Sequence, residues 1–170
     1  MTEMMDLSII IVSYNVKDYL LACLRSIYSQ PVDLAFEVIL VDNRSSDGTV
    51  EAVQSAFPQV RILANQENVG FARGNNQGLR ASSGRYVLFL NPDTEMGQGA
   101  LVGLLRLAQE HPEASAFTCR VLNPDGSLQH SCFRFPNLKM AFYGFFPLVP
   151  MESVANGRYP AEQFGRLFQP

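Results

Sequence analysis

The sequence predicts an α/β fold with a mostly parallel central sheet, and three observations carry this. Short runs rich in β-branched and aliphatic residues start near Leu7, Phe36, Val60 and Arg85. Such runs suit strands buried on both faces. Between them lie segments whose apolar residues recur at helical spacing, and that alternation is the signature of βαβ units. Composition agrees. The 170 residues are 47% hydrophobic and 17% charged, which is globular and not disordered. A chain of this length buries roughly two-thirds of its unfolded surface, enough for a core without staples.

Leu7 to Tyr14 reads as the first strand, and Asn15 stands where a helix N-cap belongs. Tyr19, Leu20, Cys23, Leu24, Ile27 and Tyr28 then mark a helix that Pro31 stops. Phe36 to Val41 is a second strand, ending in Asp42-Asn43. Ser45-Ser46-Asp47-Gly48 is a turn and cap, with Asp47 as N-cap of a helix from Thr49 to Phe57. Val60 to Ala64 is a third strand. Gly70 to Ala81 is a helix with Gly70, Gly74 and Gly78 on one face, a spacing that permits close packing on a sheet. Arg85 to Leu90 is a fourth strand, ending in Asn91-Pro92-Asp93. Gly99 to Gln109 is an amphipathic helix whose buried face is Leu101, Leu104, Leu105 and Ala108. His111 follows at its end as a structural residue. Ala114 to Leu122 reads as a strand, Asn123-Pro124-Asp125-Gly126 as a turn, and Ser127 to Phe133 as its hairpin partner. After Phe133 aromatics, prolines and glycines follow without a clear period.

Several function classes are disfavoured. Net charge is −3, so there is no basic surplus to hold a phosphate backbone, and nucleic-acid binding is not expected. The three cysteines, Cys23, Cys119 and Cys132, form no CxxC, which argues against zinc ribbons and redox pairs. Reduced thiols and an acidic N-terminus without a signal-like pattern point to the cytoplasm. No apolar run is long enough to span a bilayer.

In an open α/β sheet, ligands sit beyond the carboxyl ends of the strands. There the first strand delivers Ser13, Tyr14 and Asn15, the second Asp42 and Asn43, and the fourth Asn91 and Asp93. Neither GxGxxG nor GxxxxGK[ST] follows any strand, so a ligand phosphate would need a metal. Mg²⁺ and Mn²⁺ take one or two carboxylates together with phosphate oxygens, and Asp93 is the candidate ligand.

Four motifs stand in order: Ser13-Tyr14-Asn15; Val41-Asp42-Asn43-Arg44-Ser45-Ser46-Asp47-Gly48; Asn68-Val69-Gly70-Phe71-Ala72-Arg73-Gly74-Asn75-Asn76-Gln77-Gly78; and Leu90-Asn91-Pro92-Asp93. In this order and spacing, over about residues 7 to 136, the chain resembles family 2 glycosyltransferases of the GT-A fold. It is most similar to the rhamnosyltransferase-type branch, where Asn-Pro-Asp replaces Asp-x-Asp. Pro124-Asp125-Gly126-Ser127-Leu128-Gln129 looks like that branch too.

The resemblance implies a Rossmann-like α/β/α sandwich that takes a nucleoside diphosphate sugar, UDP- or dTDP-linked. It implies that Ser13, Tyr14, Asn15, Asp42, Arg73, Asn91 and Asp93 bind the donor. Tyr14 would seat the base, Asp42 would hydrogen-bond it, and Arg73 would contact base or diphosphate. Asp93 would hold a divalent metal, Mg²⁺ or Mn²⁺, with Asn91 leaving one carboxylate fewer beside it. It further implies transfer to a saccharide or lipid-linked acceptor hydroxyl with inversion, in cell-envelope polysaccharide synthesis. The base that would deprotonate the acceptor has no counterpart: Glu95, Glu110, Glu113, Asp125, Glu152 and Glu162 form no Glu-Asp pair.

Residues 1–136 thus read as the nucleotide-sugar-binding core, and 137–170 as the start of a truncated acceptor-side region. Phe142, Tyr143, Phe145 and Phe146 suit packing on a further part of the protein, with peripheral contact at the inner membrane face as the second reading. Left exposed, that cluster favours homo-oligomers. Two rival functions stand beside the enzyme: a nucleotide-sugar-binding fragment without activity of its own, and a sugar-phosphate nucleotidyltransferase. The second needs a Gly-rich basic loop after the first strand, where Ser13-Tyr14-Asn15-Val16 stands instead.

Overall fold

The computed structural model describes residues 5–31 and 33–129. The chain forms two compact units, Met1–Phe117 and Thr118–Pro170. In the first, elements run β1 (Leu7–Ser13), α1 (Lys17–Tyr28), β2 (Phe36–Asp42), α2 (Thr49–Ala56), β3 (Arg61–Ala64), α3 (Phe71–Ala81), β4 (Tyr86–Leu90) and α4 (Ala100–Glu110). The second holds β5 (Val121–Leu122) and β6 (Leu128–Gln129) among its described residues.

The four strands of the first unit form one parallel sheet in the order β3-β2-β1-β4. This is the α/β architecture that the alternating pattern predicts. β1 lies inside the sheet and every one of its residues is buried, which is why its run is apolar without alternation. Ile9 and Ile11 join Val38 and Leu40 against Leu20, Cys23, Leu24 and Ile27 of α1, Val53 of α2, and Leu101 and Leu105 of α4. The opposite face, with Ile10, Val12 and Val41, lies under α3.

α3 approaches the sheet so closely because its sheet-facing positions carry no side chain. A Cβ on Gly74 would come within 2.9 Å of Val12 Cγ1, and one on Gly78 would collide with Ile10 Cγ2. Gly70 does not share that role. It precedes the helix at φ +81, a left-handed backbone that favours glycine.

At the amino edge of the sheet, Glu37 ties the α3–β4 connection to β1 and β2. Its Oε1 accepts from Ser8 Oγ at 2.6 Å, from Ser83 N at 2.7 Å and from Ser83 Oγ at 2.7 Å. Ser8 Oγ in turn accepts from Gly84 N at 2.8 Å. Burial alone would raise the Glu37 carboxyl, but the hydrogen bonds from Ser8 and Ser83, with Arg61 beyond, hold it below its ordinary value. A depressed folded pKa contributes stability above the unfolded glutamate value, about 4.3. That stability is lost as pH falls through the folded value. Glu37→Gln is therefore expected to lower Tm at neutral pH and to flatten the acid limb of a Tm-against-pH profile. Parallel profiles for variant and parent would show that the network carries no ionic contribution.

Two expected elements differ. Of the expected strand 114–122, Val121–Leu122 is extended and pairs with β6 among the described residues. Of the expected partner over Ser127 to Phe133, Leu128–Gln129 is strand; the remainder from residue 130 lies outside the described residues, as does the Phe142–Phe146 cluster. The turn between β5 and β6 forms as expected, with Asn123 N bonding Ser127 O at 2.8 Å and Asp125 Oδ1 accepting from Ser127 N at 2.9 Å. Among the described residues no helix is long and apolar enough to cross a membrane.

Candidate active site

The chain turns outward from β1 in one direction through β2 to β3, then crosses back to β4 on the other flank of β1. The strand order therefore reverses at β1, and the crevice above its carboxyl end is where such sheets take ligands. The ladder of β1 with β2 ends at Ser13↔Asp42, and that with β4 at Ile11↔Leu90, one residue before Asn91. Ser13, Asp42 and the Asn91–Asp93 segment thus leave the sheet along one edge.

Ser13 and Asp42 are 1% and 2% exposed. Asp42 Oδ2 accepts from Ser45 N at 2.8 Å, while Asp42 Oδ1 and Ser13 Oγ are buried without any hydrogen-bond partner. Buried polar atoms nearly always have one, so two orphans in register on adjacent strands need an explanation. A polar ligand seated over this edge would satisfy both.

Two loops frame this pair, and they are stitched to each other. Asn15 N donates to Ser45 Oγ at 2.9 Å, and Asn15 Oδ1 accepts from Ser46 N at 2.8 Å. Asn15 is not the N-cap of α1. It sits at φ +52, Val16 takes the cap position, and no side chain of its own caps the helix. The cap comes from the other loop. Asp47 Oδ2 accepts from Lys17 N at 3.0 Å, and Oδ1 from Thr49 N at 3.1 Å and Thr49 Oγ1 at 2.5 Å. One carboxylate thus serves the first N–H of both α1 and α2, while Gly48 occupies the cap position of α2. Desolvation works to raise the Asp47 carboxyl, and the bonds from Thr49 and Lys17 outweigh it and lower it.

Arg44 adopts φ +63 in the second loop. It and Asn15 are the two non-glycine residues at positive φ among the described residues, and both stand at this edge. A left-handed backbone costs an arginine roughly 1–2 kcal/mol, and such conformations cluster at ligand sites. Tyr14 lies beside them, 51% exposed.

Across β1, Asn91 and Asp93 are exposed. Asp93 has no basic partner among the described residues. Thr94 N bonds Asn91 O at 3.2 Å and closes the turn. Cys23 lies beneath. Its burial, then the carboxylates of Asp93 and Glu95, push its thiol up to about 12. The residues fit a hard divalent cation in one sense only. Among the described residues no three His, Cys, Asp or Glu side chains converge, so no protein cage exists. A solvent-facing carboxylate at the crevice suits Mg²⁺ or Mn²⁺ completed by phosphate oxygens and water.

Arg73 is placed apart from this group. It stands on α3, in the layer opposite α1, where it lines a cavity of about 300 Å³ with Val69, Asn76, Gln77 and Arg80. The cavity is anchored to the sheet through amides: Gln77 and Asn65 exchange hydrogen bonds at 2.9 and 3.0 Å, and Asn65 Nδ2 reaches Asn43 Oδ1 at 3.0 Å. Sequence reading singled out neither Arg44 nor the role of Asp47 toward α1. The first has no signature, and the second joins residues 30 apart.

A parallel sheet reversing at β1, with a buried orphan carboxylate and an exposed one along its carboxyl edge, defines a ligand-binding α/β domain of the doubly wound kind. Comparison with known proteins is more specific: the Glycosyl transferase family 2 model matches residues 8–144, and the chain belongs to that family. It is 30% identical over 143 residues to the N-acetylglucosaminyl-diphospho-decaprenol L-rhamnosyltransferase of Mycobacterium tuberculosis, covering 78% of this chain and 46% of that protein. The chain thus spans about half the length of that relative. Residues 1–349 of S. aureus TarS, crystallised with UDP-GlcNAc, superpose with a TM-score of 0.59 at 27% identity, over 64% of this chain and 32% of that one. A mannosyltransferase from Pyrobaculum calidifontis, solved with GDP-Man and Mn²⁺, shares the fold at a TM-score of 0.57 and 24% identity, over 73% of this chain and 37% of that one. These neighbours are glycosyltransferases of the GT-A kind, as the order of motifs implies.

Proposed function

We propose that this chain is the donor-binding part of a glycosyltransferase that moves a sugar from a nucleoside diphosphate sugar to a hydroxyl acceptor in cell-envelope polysaccharide synthesis. The observation that carries the reading is the orphan pair Ser13 Oγ and Asp42 Oδ1, buried side by side beneath two interlocked loops. The names of the relatives, one a rhamnosyltransferase and others solved with UDP-GlcNAc or GDP-Man, support the donor class.

In this reading Asp42 Oδ1 accepts an N–H of a pyrimidine base, uracil or thymine, and Tyr14 lies against that base. Ser13, Asn15 and Asn91 bond the ribose side, and Arg73, on α3 apart from this group, reaches the base or the diphosphate, as its motif implies. Asp93 would hold Mg²⁺ or Mn²⁺, and such an ion would neutralise charge developing on the leaving diphosphate. The acceptor hydroxyl attacks the anomeric carbon, the bond to the diphosphate breaks, the configuration inverts, and the hydroxyl proton passes to a base. Residues 1–136 form the donor core, with 137–170 opening the acceptor side.

One observation favours a narrower reading of the chain by itself, as a donor-binding module without turnover. Glu110 and Glu113, two of the acids beyond Asp93, are engaged with Arg106 and His111 at the exposed end of α4. No described residue is assigned as the base.

The test is calorimetric titration of UDP and of dTDP into the chain, with and without Mn²⁺, repeated on Asp93→Ala. The expected result is binding that Mn²⁺ strengthens, with the metal effect reduced at least tenfold in the variant, since even indirect partners of a metal site are worth about that much. Absence of binding by either nucleotide would overturn the reading.

A further inference from the structure

Two side chains of α1 grip the loop that carries Asp93, and no motif points to either. Cys23 and Ser26 stand three residues apart, hence on one face of the helix. Ser26 Oγ accepts from Met96 N at 2.9 Å and donates to Cys23 O at 2.6 Å. Cys23 Sγ, at a long 3.9 Å, points its thiol at Asn91 O. The loop is therefore fastened at both ends, at Asn91 and at Met96, with Asp93 exposed between them.

The bond to Met96 is the stronger tie. It joins residues 70 apart in sequence, so local helix chemistry does not account for it. Met96 itself packs against the hydrophobic core, so the bond ties the loop to a fixed point of the fold. The hydroxyl is also oriented: its proton is committed to the Cys23 carbonyl, which leaves a lone pair to face Met96. Ser26 thus fixes the carboxyl-terminal end of a loop whose other end leaves β4 directly. Asp93 lies between these two contacts, three residues before Met96.

We infer that Ser26 is a positioning residue, whose hydroxyl sets the place of Asp93 for the metal–diphosphate end of the donor through the backbone of Met96. The inference rests on the metal reading of Asp93 above. Groups that orient a metal ligand without touching the ion typically change metal affinity about 10- to 100-fold when removed.

The experiment measures the Mn²⁺ concentration that half-saturates UDP binding, with UDP affinity in EDTA and Tm as companions, for the parent chain, Ser26→Ala, Ser26→Thr and Asp93→Ala. The expected result is an Mn²⁺ requirement raised about tenfold in Ser26→Ala, unchanged affinity in EDTA, and recovery in Ser26→Thr, which keeps the hydroxyl. An unchanged Mn²⁺ requirement in Ser26→Ala, with Asp93→Ala losing its metal effect, overturns the inference and leaves the function standing. Equal losses with and without metal also overturn it, since they mark a merely structural serine. If Asp93→Ala keeps the parent's Mn²⁺ requirement, the metal reading fails and the inference falls with it. Should Ser26→Ala not fold, Ser26→Cys, whose sulfur is a weak acceptor, gives the same comparison.

Discussion

Replacing Gly84 by alanine is expected to lower stability by about 3 kcal/mol, near the upper end for forced overpacking. The added Cβ would sit 2.5 Å from Ser8 N and 2.7 Å from the carbonyl carbon of Leu7. Both are backbone atoms of the central strand, which a rotamer change cannot move aside. The clash also bears on the bond from Gly84 N to Ser8 Oγ, and through Ser8 on Glu37. At roughly 3 °C per kcal/mol for a chain of this size, Tm should fall by about 10 °C in a thermal melt. A fall of under about 2 °C would mean that the α3–β4 connection yields freely, and that the amino edge is not the rigid tie described above.

The second large effect falls on binding. Asp42→Asn keeps the size of the side chain and an oxygen for Ser45 N, but removes the negative charge and turns one acceptor into a donor. A hydrogen bond to a charged group is worth about 1.5–3 kcal/mol, so nucleotide affinity should fall roughly 10- to 150-fold by titration. Stability should move the other way or not at all. A buried carboxylate oxygen without a partner is destabilising, and a neutral amide lightens that cost. Lost affinity with an equal or higher Tm is the signature of a residue kept for its ligand. Unchanged affinity would place Asp42 among loop-capping residues and remove the base contact from the account.

Much of the fold is legible in the sequence. The apolar runs of β1 and β2 and the helical spacing of α1 and α4 reflect burial, which residue type reports directly. The site is legible only in outline. That polar residues end three parallel strands follows from the order of elements, but their use depends on distant partners. Asn15 looks like a cap because asparagine caps helices well, yet its side chain bonds Ser46, 31 residues on, and Asp47 does the capping. Ser26 carries no local signal, since its partner lies 70 residues away. Arg73 stands in a motif, and the motif does not say that α3 carries it in the layer opposite α1. The run from Ala114 to Arg120 has strand propensity but no ladder among the described residues, whereas Val121 and Leu122 pair with β6.

Donor nucleotide is expected to lie over the carboxyl edge of the sheet, between the interlocked loops and the Asn91–Met96 segment. The most direct measurement is the amide chemical-shift change of the ¹⁵N-labelled chain on adding UDP with Mg²⁺. Shifts are expected to concentrate at Ser13 to Val16, Asp42 to Asp47 and Asn91 to Met96, with Glu37, Ser83 and Gly84 at the amino edge unmoved. Shifts centred on the amino edge, or confined to the cavity from Val69 to Arg80 with the carboxyl edge silent, would contradict it.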